Sequence, residues 1–203
     1  EPQNKAKVLD NLVAEIKKQN YNMDVGILGA KYVLNTLVEN DRADVAYQML
    51  QKRTFPSYGY WVDQNATTLW EEWNGNQSHL HVMFGDVSAW FFKYLAGIKP
   101  AAPGFKEITI KPYVLGDLTF ANGTYDSAQG RIVSDWKLTN GALQFNVTIP
   151  ANTTATVYVP RVGSKAVTEG GKPVKTAAGI KWLRDEGKYS VLSVGSGSYR
   201  FAS

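Results

Sequence analysis

Apolar positions change period about halfway along the chain. From Lys5, the residues Val8, Leu9, Leu12, Val13 and Ile16 recur at helical spacing, and Lys17 and Lys18 stand where the negative end of a helix dipole favours cations. A second helix is expected after Gly29, with Tyr32, Val33, Leu34, Leu37 and Val38 on its buried face. A third is expected from near Asp41, carrying Ala43, Val45, Ala46, Met49 and Leu50. A fourth spans about Gly85 to Leu95, with Val87, Trp90, Phe91, Tyr94 and Leu95 on one stripe and Gly97 as its C-terminal stop. After residue 100 the period falls to two. Ile108 and Ile110 alternate with polar neighbours, as do Leu143, Phe145, Val147 and Ile149, and then Ala155, Val157 and Val159. Asn122-Gly123, Asn140-Gly141 and Gly170-Gly171 read as turns between such runs. The pattern predicts an α+β, two-part chain: a helical segment over residues 1–100 and an antiparallel β-sandwich over 101–203.

Composition narrows the chemistry. Of 203 residues, 44% are hydrophobic and 20% charged, which is a folded rather than a disordered balance. No apolar run approaches the roughly 20 residues that cross a bilayer, so no membrane partner is expected. The net charge of +4 is spread along the chain and does not argue for nucleic acid. With no cysteine, disulfides, thiolate metal sites and cysteine nucleophiles are excluded together. Two histidines leave His79 and His81 as the only imidazole ligands, too few for a metal site, and no cofactor fingerprint appears.

One connection, of some thirty residues from Arg53 to Phe84, is long for a compact domain, and long ordered loops are usually functional. It concentrates Tyr58, Tyr60, Trp61, Trp70 and Trp73 around Glu71, Glu72, His79 and His81. Indole and phenol rings stack on the C–H faces of sugars, and a carboxylate beside such a stack can activate water at an anomeric carbon. The same residues also suit a small aromatic core with solvated glutamates. If the segment is extended, only one of Glu71 and Glu72 reaches a pocket, and His79 and His81 share a face. In the sandwich, Trp136 lies among alternating residues and is expected in the core, with Trp182 the other ring available for stacking.

The order of these residues resembles bacterial α-L-rhamnosidases. Pro56-Ser57-Tyr58-Gly59-Tyr60-Trp61 followed by Ala66-Thr67-Thr68-Leu69-Trp70-Glu71-Glu72-Trp73 is similar to that family's P-S-W-G-Y and G-A-T-T-x-W-E-x-W. Ser78-His79-Leu80-His81-Val82-Met83-Phe84-Gly85 resembles its S-H-N-H-x-M-F-G. Trp90 to Ile98 matches W-x-x-x-x-L-A-G-I, and Val147 to Pro160 resembles the family's C-terminal sandwich. The resemblance implies an inverting glycoside hydrolase whose (α/α)6 barrel precedes a β-sandwich, acting on a rhamnose-containing carbohydrate without cofactor or metal. It places the general base on Glu71 and a sugar contact on His81, with Trp70 and Tyr60 shaping the pocket and Trp61 and Trp73 as further binding residues. Leu80 stands where the family has Asn, and Tyr58 where it has Trp. Four helices fall short of a full barrel and the family's acidic motif is not found, so the chain reads as the C-terminal third of such an enzyme, inactive by itself. Pairing with the remainder, or a homodimer, is the expected partnership. A periplasmic or extracellular location is favoured over a cytoplasmic one. A non-catalytic carbohydrate-binding fragment is the alternative, and another (α/α)6 glycosidase or a lyase a third.

Overall fold

A computed structural model describes residues 2–163 and 166–203, which divide into two units, one running to Trp90 and the other Phe91–Ser203. The first unit is helical: α1 (Lys5–Lys18), α2 (Ile27–Glu39), α3 (Ala43–Leu50), α4 (Tyr58–Asp63) and α5 (Asp86–Trp90). Lys17 and Lys18 occupy the last turn of α1, and Val13 and Ile16 are its buried positions, whereas Val8 is 63% exposed. α2 starts two residues ahead of Gly29 and buries Ala30, Val33, Leu34, Leu37 and Val38 against α3 and α5. Tyr32, expected on that face, is instead 62% exposed, because it falls one position outside the stripe that Val33 and Leu37 define. α5 is tied to α2 through Trp90 Nε1, which donates to Leu34 O at 3.3 Å, and through Asn35 Nδ2, which donates to Asp86 Oδ2 at 2.5 Å.

The thirty-residue connection is not structureless. It contains α4, which the periodicity does not show, because six residues are too few to display a period. Its cap is legible afterwards: Ser57, fully buried, accepts the Tyr60 N–H on Oγ at 3.0 Å.

The expected fourth helix changes character along its length, with Phe91–Leu95 forming a π-helical turn in which Ala96 N–H donates to Phe91 O. Gly97 ends it at φ +78°, a left-handed conformation costly for residues with a side chain. A Cβ there would meet Lys111 C at 2.2 Å, so the backbone of the next strand pair also requires glycine.

Among its described residues the second unit is a β-sandwich of eleven strands: β1 (Ile98–Pro100), β2 (Glu107–Ile110), β3 (Phe120–Ser127), β4 (Gly130–Thr139), β5 (Ala142–Ile149), β6 (Thr154–Pro160), β7 (Thr168–Glu169), β8 (Lys172–Pro173), β9 (Ile180–Glu186), β10 (Tyr189–Val194) and β11 (Gly197–Ala202). One sheet runs β1-β2-β6-β10-β9 and the other β3-β4-β5-β11-β7-β8. Pairing is antiparallel except between β2 and β6, which are parallel. The alternating residues Leu143, Phe145, Val147 and Ile149 all face the core, with Ile108, Ile110, Val157, Val159 and Trp136. Trp136 is 1% exposed and its indole N–H donates to Leu95 O at 2.8 Å.

Asn122-Gly123 is not a turn: both residues lie inside β3. Gly123 is there for closeness, since a Cβ would come within 2.3 Å of Ala96 Cβ. Asn140-Gly141 and Gly170-Gly171 do turn the chain, between β4 and β5 and between β7 and β8.

Candidate active site

The centre of the helical unit's long connection is a set of rings. Trp61 lies 4.5 Å from Trp73 and 5.7 Å from Trp70, and Phe84 closes the group at 5.2 Å from Trp61 and 4.5 Å from Trp73. Tyr58 meets Trp61, Trp73 and Phe84 edge-on. The polar atoms of Trp61, Trp73 and Tyr58 are all employed, as buried N–H and O–H groups must be. Trp61 Nε1 donates to Trp73 O at 2.9 Å, Trp73 Nε1 to Val25 O at 2.7 Å, and Tyr58 OH to Phe84 O at 2.8 Å. Burial, with a smaller contribution from the nearby Asp86 carboxylate, pushes the Tyr58 phenol well above its ordinary value. Trp61 is 3% exposed and Trp70 and Trp73 are each 9% exposed. These three indoles therefore offer a ligand little surface, and Tyr60, half-buried and edge-on to Phe55, offers more.

Two chain segments cross above this base. Glu71 N–H donates to Ser78 O at 2.8 Å and His81 N–H to Leu69 O at 2.9 Å. Gly75, at φ +75°, turns between them, and a Cβ there would lie 2.8 Å from Trp70 Cζ3. Thr68 Oγ1 donates to His79 O, adding a third link.

This cross-linking brings Glu71 and His81 together. Glu71 Oε2 accepts the Ser78 N–H at 3.3 Å and lies 3.8 Å from His81 Nδ1, with both side chains partly open to solvent. Oε1 has no partner among the described residues. Glu72 is exposed. His79 goes elsewhere: its ring stacks on Trp70 at 4.6 Å and 16°, and its Nε2 lies 2.8 Å from Gly75 O. Sequence reasoning gave His79 no such role, although its position nine residues after a Trp on the returning arm of a hairpin is the signal that could have found it. Among the described residues, no group of three or more His, Asp or Glu is placed to hold a metal, and no helix is long and apolar enough to cross a membrane.

A helical unit followed by a β-sandwich is the order of parts in helical-hairpin glycosidases with an appended C-terminal domain, and two family models put the chain in that class. Residues 1–95 match the bacterial alpha-L-rhamnosidase 6 hairpin glycosidase domain, and residues 97–173 match the bacterial alpha-L-rhamnosidase C-terminal domain. The chain belongs to the bacterial α-L-rhamnosidase family. An α-L-rhamnosidase of Streptomyces avermitilis is 34% identical over 95% of this chain, and one of Alteromonas is 32% identical over 84%. The crystal structure of the Streptomyces avermitilis enzyme complexed with L-rhamnose superposes over 96% of this chain with a TM-score of 0.88 and 32% identity. The structure of the Dictyoglumus thermophilum α-L-rhamnosidase covers 92% of this chain with a TM-score of 0.84 and 34% identity. The chain spans about a fifth of the length of these relatives, 19% and 20% of the two curated enzymes and 19% and 22% of the two solved chains.

Proposed function

We propose that this chain is the part of an inverting α-L-rhamnosidase that supplies the general base, and that the whole enzyme releases terminal α-L-rhamnose from glycosides or polysaccharides. Family membership supports the substrate. The observation that supports the residue roles is the placement of Glu71 beside His81, partly open, on a loop braced from below by buried indoles.

In this reading Glu71 Oε1, the oxygen without a partner, takes a proton from water while the water oxygen bonds to the anomeric carbon. The bond from that carbon to the leaving oxygen breaks on the opposite face, and the leaving oxygen takes a proton from an acid that no residue here is assigned to supply. Inverting pairs stand about 6.5–9.5 Å apart to admit the water. The Ser78 N–H bonded to Oε2, with His81 Nδ1 3.8 Å from the same oxygen, leaves Oε1 to face the water. His81, partly exposed, also orients the sugar. Trp70 and Tyr60 shape the floor, and Trp61 and Trp73 act through the buried ring set that fixes the loop.

The test is Glu71→Gln in the full-length enzyme. Turnover of an aryl α-L-rhamnoside is expected to fall about 10²–10⁴-fold with KM little changed. Proton NMR of the parent enzyme's first product should show the anomer opposite to that of the substrate. Near-normal turnover in the variant rejects the base assignment, and retained configuration rejects the single displacement.

A further inference from the structure

The outward face of the six-stranded sheet carries an ordered polar array that the catalytic reading leaves unused. Strand register sets Asn122, Asp135, Asn146 and Arg200 side by side across β3, β4, β5 and β11. The adjoining row places Phe120, Lys137 and Gln144 across β3, β4 and β5. These are not flat surface residues. Two grooves of about 420 and 650 Å³ run over them and meet at Gln144 and Asn146, which line both.

The array is built from groups that planar and hydroxyl-rich ligands need. Three amides each offer two donors and an acceptor oxygen. Among the described residues, the side chains of Asn122, Gln144, Asn146, Lys137 and Arg200 have no hydrogen-bond or ion-pair partner. Asp135 spends Oδ1 on Gly123 N–H at 3.1 Å and keeps Oδ2 for an incoming hydroxyl. At the end of the second row the Phe120 ring is 60% exposed, an apolar face for a sugar ring to cover.

Charge selects among sugars. Lys137 and Arg200 outnumber Asp135, and they stand diagonally across the amides, two strand spacings over and two residues along, about 12 Å apart. Two separated cations with amides between them complement a chain of sugar rings that carries carboxylates. We infer that this face of the sandwich is a second carbohydrate site, specific for an acidic, uronate-bearing oligosaccharide and separate from the Glu71 loop. Guanidinium and ammonium groups take the ring carboxylates, the amides and Asp135 take hydroxyls, and Phe120 covers one ring. The inference does not depend on the catalytic assignment, since none of its residues lies on that loop.

The test is calorimetric titration of the 203-residue chain with tetragalacturonate, and with cellotetraose and oligoglutamate as controls. Tetragalacturonate should bind, and Arg200→Ala and Lys137→Ala should each weaken it about fivefold. Asn146→Ala should weaken it without altering its salt dependence. All three positions are exposed, so unchanged thermal melts are expected and separate lost binding from lost fold. Absence of tetragalacturonate binding, equal binding of cellotetraose, equal binding of oligoglutamate, or binding indifferent to all three substitutions overturns the inference. Because the readout is binding, a failed Glu71→Gln experiment leaves it standing, and its own failure leaves the base assignment standing.

Discussion

Replacing Trp73 by Phe separates two things the indole does. One is packing: its ring centroid lies 4.5 Å from those of both Trp61 and Phe84. The other is a single hydrogen bond, Nε1 to Val25 O at 2.7 Å, one of several ties between this loop and the segment leading into α2, beside Met23 N–H to Pro56 O and Thr54 Oγ1 to Asn22 Oδ1. Phe keeps an aromatic ring in the set and deletes the donor, so the Val25 carbonyl loses its partner at a site where Trp73 is 9% exposed. An orphaned buried acceptor costs about 1–3 kcal/mol, and the smaller ring leaves a void worth about 1 kcal/mol more. The expected loss for Trp73→Phe is therefore about 2–4 kcal/mol. Trp73→Ala also gives up the ring contacts and should lose more, about 4–6 kcal/mol. Urea unfolding of the chain followed by circular dichroism at 222 nm, where the helical unit dominates, measures both. If Trp73→Phe costs under about 1 kcal/mol while Trp73→Ala keeps its full effect, the ring alone matters and the tie to Val25 is energetically idle.

Three further outcomes follow from the same loop. Gly75→Ala puts a Cβ within 2.9 Å of Trp70 ring atoms at a φ of +75°, so a loss of about 1–3 kcal/mol and a weakened Trp70–His79 stack are expected. A thermal melt and near-ultraviolet circular dichroism check both. Tyr58 is held neutral above its ordinary value near 10, so above pH 10 the unfolded chain gives up a phenolic proton that the folded chain keeps. Stability is full below that pH and falls as the pH rises, by at most about 1.4 kcal/mol per unit for this one group, a slope that Tyr58→Phe should flatten in alkaline urea titrations. His81→Ala in the full-length enzyme should raise KM for an aryl rhamnoside as well as lower kcat if His81 contacts the sugar as proposed, and it removes one of the two groups facing Glu71 Oε2; an unchanged KM counts against the contact.

Much of the fold was legible because it rests on local repetition. Val33, Leu34, Leu37 and Val38 announce one face of α2, and Leu143 to Ile149 announce one face of β5, where each residue's burial follows from its neighbours' spacing. What failed had competing local and non-local causes. Asn122-Gly123 has turn chemistry, yet the close approach of Ala96 keeps it within a strand, and that approach joins residues 27 positions apart. The parallel pairing of β2 with β6 is non-local in the same way, and α4 is too short to show a period. At the site, the aromatic-rich loop was visible as composition, but which ring backs which was not. Trp70 and Trp73 turn out to be nearly closed to solvent, as the core reading of those two held, and Trp61 with them, while Glu71 is partly open, which both the core and the catalytic readings expect.

The pairing of Glu71 with His81 depends on a slip in register. With Leu69 opposite His81, regular antiparallel pairing would set Glu71 opposite His79. Its N–H instead reaches Ser78 O, one residue short, so the returning arm carries an extra residue in the manner of a bulge. Regular alternation would keep His79 and His81 on one face with similar surroundings. The extra residue divides them. His79 turns down onto Trp70 and the Gly75 carbonyl, where it locks the hairpin to the ring set, and His81 is left beside the Glu71 carboxylate. A motif of two histidines two apart is thus one fastener and one neighbour of the Glu71 carboxylate. The sequence spacing alone could not show which was which, because the distinction lies in the backbone of the opposite arm.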